Sequence, residues 1–165
     1  MIRSFSEFIT EAAEQSERGT YVAVNYKPRT AMAIVRRCRE MGIPNLVPYD
    51  KLHTTLIYSR KYLPDFKASG TIHRELQGCF IPDIFVTQSG KRAMVLKLTD
   101  PWFGARHKEI REKHGATHDY PDYHAHITVS YDVGPDFVLP KSFTLDKRPV
   151  ILDEYTEDLD FDWSP

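Results

Sequence analysis

A chain of 165 residues with 41% hydrophobic content is long enough to bury one core and suits one domain. No apolar run reaches bilayer-spanning length, which argues against a helical membrane protein. Cys38 and Cys79 are too few and too separated for a disulfide framework or a zinc knuckle, and are expected as small core residues in a reducing cytoplasm. The formal charge of -1 conceals an asymmetry. Residues 153 to 165 hold six acids and no Lys or Arg, which leaves 22 basic against 17 acidic side chains in the rest, a net of +5. A modestly basic body with an acidic tail suits a small phosphorylated ligand better than duplex nucleic acid, which demands a stronger basic stripe.

A short amphipathic helix is expected over residues 1–18. Ser4 with Glu7 three residues on makes a capping box, and Phe5, Phe8, Ile9, Ala12 and Ala13 recur at helical spacing. From residue 19 onward a single domain is expected. Its first half reads as a strand from about Thr20 to Tyr26, Pro28 at a helix start, a helix from about Thr30 to Met41, a loop marked by Gly42, Pro44 and Pro48, and then a β-branched strand at His53. Strand-like sequence continues from Ile72 to Thr87. The second half repeats the order: a strand from about Ala93 to Thr99, Pro101, a helix from about Trp102 to His114, a loop with Gly115 and Pro121, a strand at His126, and strand-like sequence from Pro149 to Tyr155. The halves stay in register, so a duplicated α+β unit is expected, with lobe one at about 19–90, lobe two at about 91–157, and the acidic tail at 153–165.

Within each half the same phrase occurs: His53-Thr54-Thr55-Leu56-Ile57-Tyr58 and, 73 residues later, His126-Ile127-Thr128-Val129-Ser130-Tyr131. Side chains on a strand alternate between faces, so His and Thr, two apart, project from one side. Two such strands facing one cleft present two imidazoles and two hydroxyls. An imidazole with a pKa near ~6.5 can accept a proton while its neighbour donates one. A phosphodiester beside a ribose 2'-hydroxyl needs this pair, one ring removing the hydroxyl proton and the other protonating the departing 5'-oxygen. Thr55 and Thr128 can hold the non-bridging oxygens as charge develops. No metal or other cofactor is required, and the symmetry of the motifs leaves acid and base interchangeable.

The paired Leu52-His53-Thr54-Thr55-Leu56 and Ala125-His126-Ile127-Thr128-Val129 resemble the motifs of the two-histidine (2H) phosphoesterases. The resemblance spans about Thr20 to Tyr155. It implies a duplicated bilobal α+β fold, two antiparallel-rich sheets flanking a central cleft with helices outside, and catalytic roles for His53, Thr55, His126 and Thr128. Size, a leader-like start, Tyr21 ahead of the first lobe and Glu154 in the last strand are most similar to the phage anti-CBASS nucleases, which degrade the cyclic di- and trinucleotides that signal infection in bacteria. That likeness implies a cyclic oligonucleotide ligand, base contacts from Tyr21 and Glu154, and action in the host bacterial cytoplasm. Ile9-Thr10-Glu11 also resembles the cleavage site of phage head-targeting leaders, which would package the protein in the head. Alternatives within the class are a 2',3'-cyclic phosphodiesterase acting on RNA ends and a 2'-5' oligoadenylate phosphodiesterase. A cyclic-nucleotide sponge and a capsid-associated protein are the non-enzymatic ones.

Remaining side chains are weighed against plainer roles. His107, His114, His118, His124 and His126, with Asp119 and Asp122, could suggest a metal site, but the first half has no counterpart and the repeat already accounts for His126. Tyr58 and Tyr131, five residues after each His, are expected on the opposite face, in the core, unless a bulge intervenes. Trp102 at a helix start is expected to pack inward. Trp163 in the acidic tail either packs on the body or closes over a bound base.

Overall fold

The computed structural model describes residues 19–120 and 122–159. The expected N-terminal helix and Trp163 lie outside these residues. The elements run β1 (Thr20–Tyr26), α1 (Pro28–Glu40), a 3-10 turn (Tyr49–Lys51), β2 (His53–Ser59), β3 (Gly70–Glu75), β4 (Phe80–Val86), β5 (Arg92–Leu98), α2 (Trp102–His114), β6 (His126–Ser130) and β7 (Val150–Asp158). The fold is α+β with two antiparallel sheets, one ordered β2-β1-β7-β3 and the other β4-β5-β6. No helix of the described residues is long and apolar enough to cross a membrane.

Local chemistry explains the helices. Pro28 supplies a preset φ at the first position of α1, where its missing N–H costs nothing. Thr30, Ala31, Ile34, Val35 and Cys38 then form one buried stripe at helical spacing. α2 repeats the pattern with Phe103, His107 and Ile110, and stops at Gly115, whose φ of 71° places its N–H on the Arg111 carbonyl. Trp102 packs against the core as expected, edge-on to Phe103.

The sheets do not follow the sequence halves. β7, from the second half, lies between β1 and β3 in the first sheet, and β4, from the first half, joins β5 in the second. The assignment of residues 19–90 and 91–157 to separate lobes is therefore corrected to an exchange of strands. The turn Thr87–Lys91, closed by the Thr87 N–H to the Lys91 carbonyl at 2.8 Å, makes β4 and β5 a hairpin and draws β4 away from its own half. One core runs through both sheets, from Val22, Ile34 and Leu56 to Leu96, Phe103, Ile127 and Phe143. Cys38 belongs to it, but Cys79 is exposed at a turn, contrary to expectation, because its backbone is drawn to the Thr99 hydroxyl at 2.8 Å at the edge of the hairpin.

Ile34 is fully buried where α1 meets the sheet. Ile34→Ala should destabilise the fold by about 2–5 kcal/mol in urea unfolding, with an unchanged slope.

Candidate active site

β2 and β6, the strands bearing the repeated phrase, each lie at one edge of their sheet. His53, Thr55, His126 and Thr128 line a single cleft of about 430 Å³. The four residues read from the motifs are thus brought together. In each strand the residue between His and Thr, Thr54 or Ile127, is fully buried behind the cleft, and the Thr54 hydroxyl is paired there with Tyr26 at 2.7 Å.

The two imidazoles are anchored alike. His53 Nδ1–H donates to the Lys51 carbonyl at 2.9 Å, and His126 Nδ1–H donates to the His124 carbonyl at 2.8 Å. A carbonyl can only accept, so each ring carries a proton on Nδ1, which leaves Nε2 for the cleft. Burial and, in addition, the neighbouring His53 lower the pKa of His126, against the raising effect of the bond to the His124 carbonyl. His126 is therefore neutral at neutral pH and its Nε2 is a proton acceptor.

Both strands are bulged at the same place. Val22 and Ala23 of β1 face Ile57 and Thr55, so Leu56 is skipped; Met94 and Val95 of β5 face Ser130 and Thr128, so Val129 is skipped. The extra residue shifts everything after it to the other face. Tyr58 and Tyr131 consequently line the cleft and are not core residues, a correction to the simple alternation of side chains.

The two Thr side chains have different neighbours. Tyr21 shares a 2.8 Å hydrogen bond with the Thr55 hydroxyl, and burial pushes the Tyr21 pKa up, keeping the phenol neutral. The corresponding position in β5 is Ala93, which carries no phenol. Tyr21 also stands edge-on to His53 and to Tyr155, with ring centroids 6.4 Å apart in each case, and Phe85 stands edge-on to His126 at 5.0 Å. Burial raises the Tyr155 pKa to about 12. None of the described residues lining the cleft is Lys or Arg. The surplus of positive charge in the body is not concentrated there, and the cleft offers imidazoles, hydroxyls and aromatic walls, with the carboxylates of Glu157 and Asp158 at the end of β7.

Glu154, expected at a base, is placed elsewhere. Alternation along β7 turns Tyr155 and Glu157 to the cleft and Glu154 to the other face, where it is 2% exposed. Its carboxylate accepts from Arg106 at 2.7 and 2.9 Å and from the Ser69 N–H at 2.9 Å. Burial opposes its charge, but these bonds prevail and hold the carboxyl below the usual range. Glu157 and, next to it, Asp158 are the acids that line the cleft; in sequence Glu154 and Glu157 are separated only by the phase of the strand. The suspected histidines do not gather into one site: His107 stacks on Tyr123 and meets His118 edge-on with centroids 4.7 Å apart, His118 bonds the Asp122 carbonyl, His124 is exposed, and Asp119 pairs with Arg60. Among the described residues no group of three or more His, Cys, Asp or Glu is arranged to hold a metal ion.

A pseudo-symmetric cleft between two bulged edge strands, each giving one His and one Thr, is the architecture of a 2H phosphoesterase. The fold matches E. coli LigT complexed with 3'-AMP, at a TM-score of 0.55 and 14% identity over 90% of this chain and 91% of that one, and LigT complexed with phosphate at 0.52 and 14% over 90% of each. Within that class the chain belongs to the anti-CBASS protein Acb1 family, whose model matches residues 18–165. It is 39% identical to anti-CBASS protein Acb1 of Enterobacteria phage T4 over 148 residues, covering 88% of this chain and 91% of that protein. The Acb1 proteins of Yersinia phage phiR1-RT and Acinetobacter phage Ac42 are 39% and 36% identical, covering 92% and 90% of this chain and 95% and 96% of theirs.

Glu154→Gln should remove about 3 kcal/mol of stability at neutral pH by leaving Arg106 half-paired in a buried site. Because the folded carboxyl ionises at lower pH than an unfolded one, its contribution is complete above the ordinary Glu value and is lost as pH falls through the depressed value. The difference in stability between wild type and variant should accordingly shrink in acid, as thermal unfolding at stepped pH would measure. Glu157→Gln, on the open face, should change stability by no more than about 0.5 kcal/mol.

Proposed function

We propose that this protein is a metal-independent phosphodiesterase that opens cyclic di- and trinucleotides at 3'-5' linkages, using the neighbouring 2'-hydroxyl, and that it thereby counteracts CBASS immunity. The observation that carries this reading is the matched anchoring of two imidazoles across one cleft, both with Nε2 free. Membership of the anti-CBASS family supports the ligand class.

His126, neutral because buried, takes the proton from the 2'-hydroxyl at Nε2. The 2'-oxygen then bonds to phosphorus as the bond from phosphorus to the 5'-oxygen breaks, and protonated His53 supplies a proton to the leaving oxygen. The products of this step are a 5'-hydroxyl and a 2',3'-cyclic phosphate on a linear chain. Water can open that phosphate with the two rings exchanging roles, which leaves a terminal 3'-phosphate. Thr128 and Thr55 donate to the non-bridging oxygens; Tyr21, by donating to Thr55, frees the Thr55 proton for phosphate. Tyr21, Tyr155, Phe85 and Glu157 form the walls on which bases would rest, and Trp163 is a further candidate there.

His53→Ala and His126→Ala should each reduce turnover of a 3'-5' cyclic dinucleotide at least about 10²-fold, and wild-type activity should persist in excess chelator. Activity lost in EDTA and restored by zinc or manganese would refute the acid-base mechanism. Thr128→Ala should lower kcat more than it raises KM. The profile of kcat/KM against pH should be bell-shaped, rising through a limb below about 6.5 as the base is deprotonated and falling as the acid is lost, with both limbs belonging to the coupled pair.

A cyclic dinucleotide with 2'-deoxy sugars should compete with the ribose substrate and remain uncut, since its bases and phosphates persist but nothing is left for the base to activate. Cleavage of this analogue at a rate near that of the ribose form, read by chromatography, would mean that water attacks directly.

A further inference from the structure

His107 lies on the buried face of α2, where Phe103, His107 and Ile110 repeat the spacing of Ala31, Val35 and Cys38 in α1. An aliphatic side chain serves packing at that position in the first copy. In the second copy, His107 Nδ1–H crosses between the halves to donate to the Leu56 carbonyl at 2.7 Å. Its ring stacks on Tyr123, with centroids 4.2 Å apart and planes 9° from parallel, and the Tyr123 hydroxyl donates to the adjoining Thr55 carbonyl at 2.7 Å. Consecutive carbonyls of a regular strand point in opposite directions. Here two in succession, at the bulge itself, are both met by side chains from the second half. His107 Nε2 is buried without a hydrogen-bond partner, which suits a neutral ring whose one task is to donate through Nδ1. The bulge of β6 is fastened differently, by backbone: the Val47 N–H donates to the Val129 carbonyl at 2.9 Å.

We infer that His107 and Tyr123 are positioning residues that clamp the bulge of β2 and so set the direction in which Thr55 and Tyr58 face the cleft. Neither touches the reacting atoms. Removing either donor leaves a carbonyl at the bulge unpaired and lets β2 relax toward regular alternation, which would turn Tyr58 out of the cleft and misalign Thr55. The kinetic consequence rests on the phosphodiesterase reading, whereas the structural consequence does not.

Three variants separate the contributions. Tyr123→Phe removes only a hydroxyl, His107→Phe keeps an aromatic ring but removes the donor, and His107→Asn returns an N–H close to the place of Nδ1. With a 3'-5' cyclic dinucleotide, both Phe variants should lose about tenfold or more in kcat with KM within about twofold, and His107→Asn should recover most of the loss. Amide hydrogen exchange, which needs no substrate, should quicken across residues 53–59 in both Phe variants while residues 126–130 stay protected. Unchanged exchange in β2, or a uniform rise over the whole chain with activity following the folded fraction, would overturn the clamp. A wild-type protein that cuts no phosphodiester would instead overturn the functional reading, and the exchange data would still decide the clamp.

Discussion

The site depends on the backbone of two edge strands. β2 and β6 each pair on one side only, so the other side would present unsatisfied N–H and C=O groups at the centre of the molecule. Each half solves the problem for the other. The loop at Pro44 to Val47 lies against β6, with the Ser130 hydroxyl on the Pro44 carbonyl at 2.7 Å, and His107 and Tyr123 cover β2. The hydrogen bonds that join the halves therefore meet the two motif strands at their bulges. Stability and the geometry of the cleft cannot be varied independently here.

Duplication supplies the two imidazoles, and departures from it distinguish their surroundings. Tyr21 stands beside Thr55 where Ala93 stands beside Thr128, and Phe85 abuts His126 where Tyr21 abuts His53. The two sides of the cleft are therefore not equivalent, and a molecule lying across it meets a different wall at each imidazole. Among the described residues the lining also lacks the guanidinium and ammonium groups that usually bind phosphate, which leaves hydroxyls and imidazole nitrogens as its side-chain donors.

Much of this was legible in the chain. The paired motifs, the bounds of β1 and α2, the α+β class and the meeting of His53, Thr55, His126 and Thr128 followed from periodicity, helix signals and repetition. Three features did not. The bulges at Leu56 and Val129 are invisible because a bulge is defined by the partner strand, and the places of Tyr58 and Tyr131 depend on them. The choice between Glu154 and Glu157 turns on the phase of β7, which both faces of a half-buried, acid-rich strand leave undetermined. The exchange of β4 and β7 arises from pairings between distant segments, which local patterns do not encode.

That exchange has a consequence for how the protein is made. β7 is an interior strand of its sheet, yet pairs such as Val22 with Thr156 join residues 134 apart. During synthesis β1 has its antiparallel neighbour β2 early, one helix later in the chain, but its second partner emerges only after nearly all of the described chain has left the ribosome. Until then β1 and β3 each lack a partner, and the apolar face of Val22, Val24 and Ile57 has an incomplete sheet behind it. Long-range pairing of this kind slows folding and prolongs exposure of unpaired edges. Assembly of the cleft is thus postponed to the last strand, and a nascent chain stalled before residue 150 carries all four motif side chains without the sheet that orients two of them.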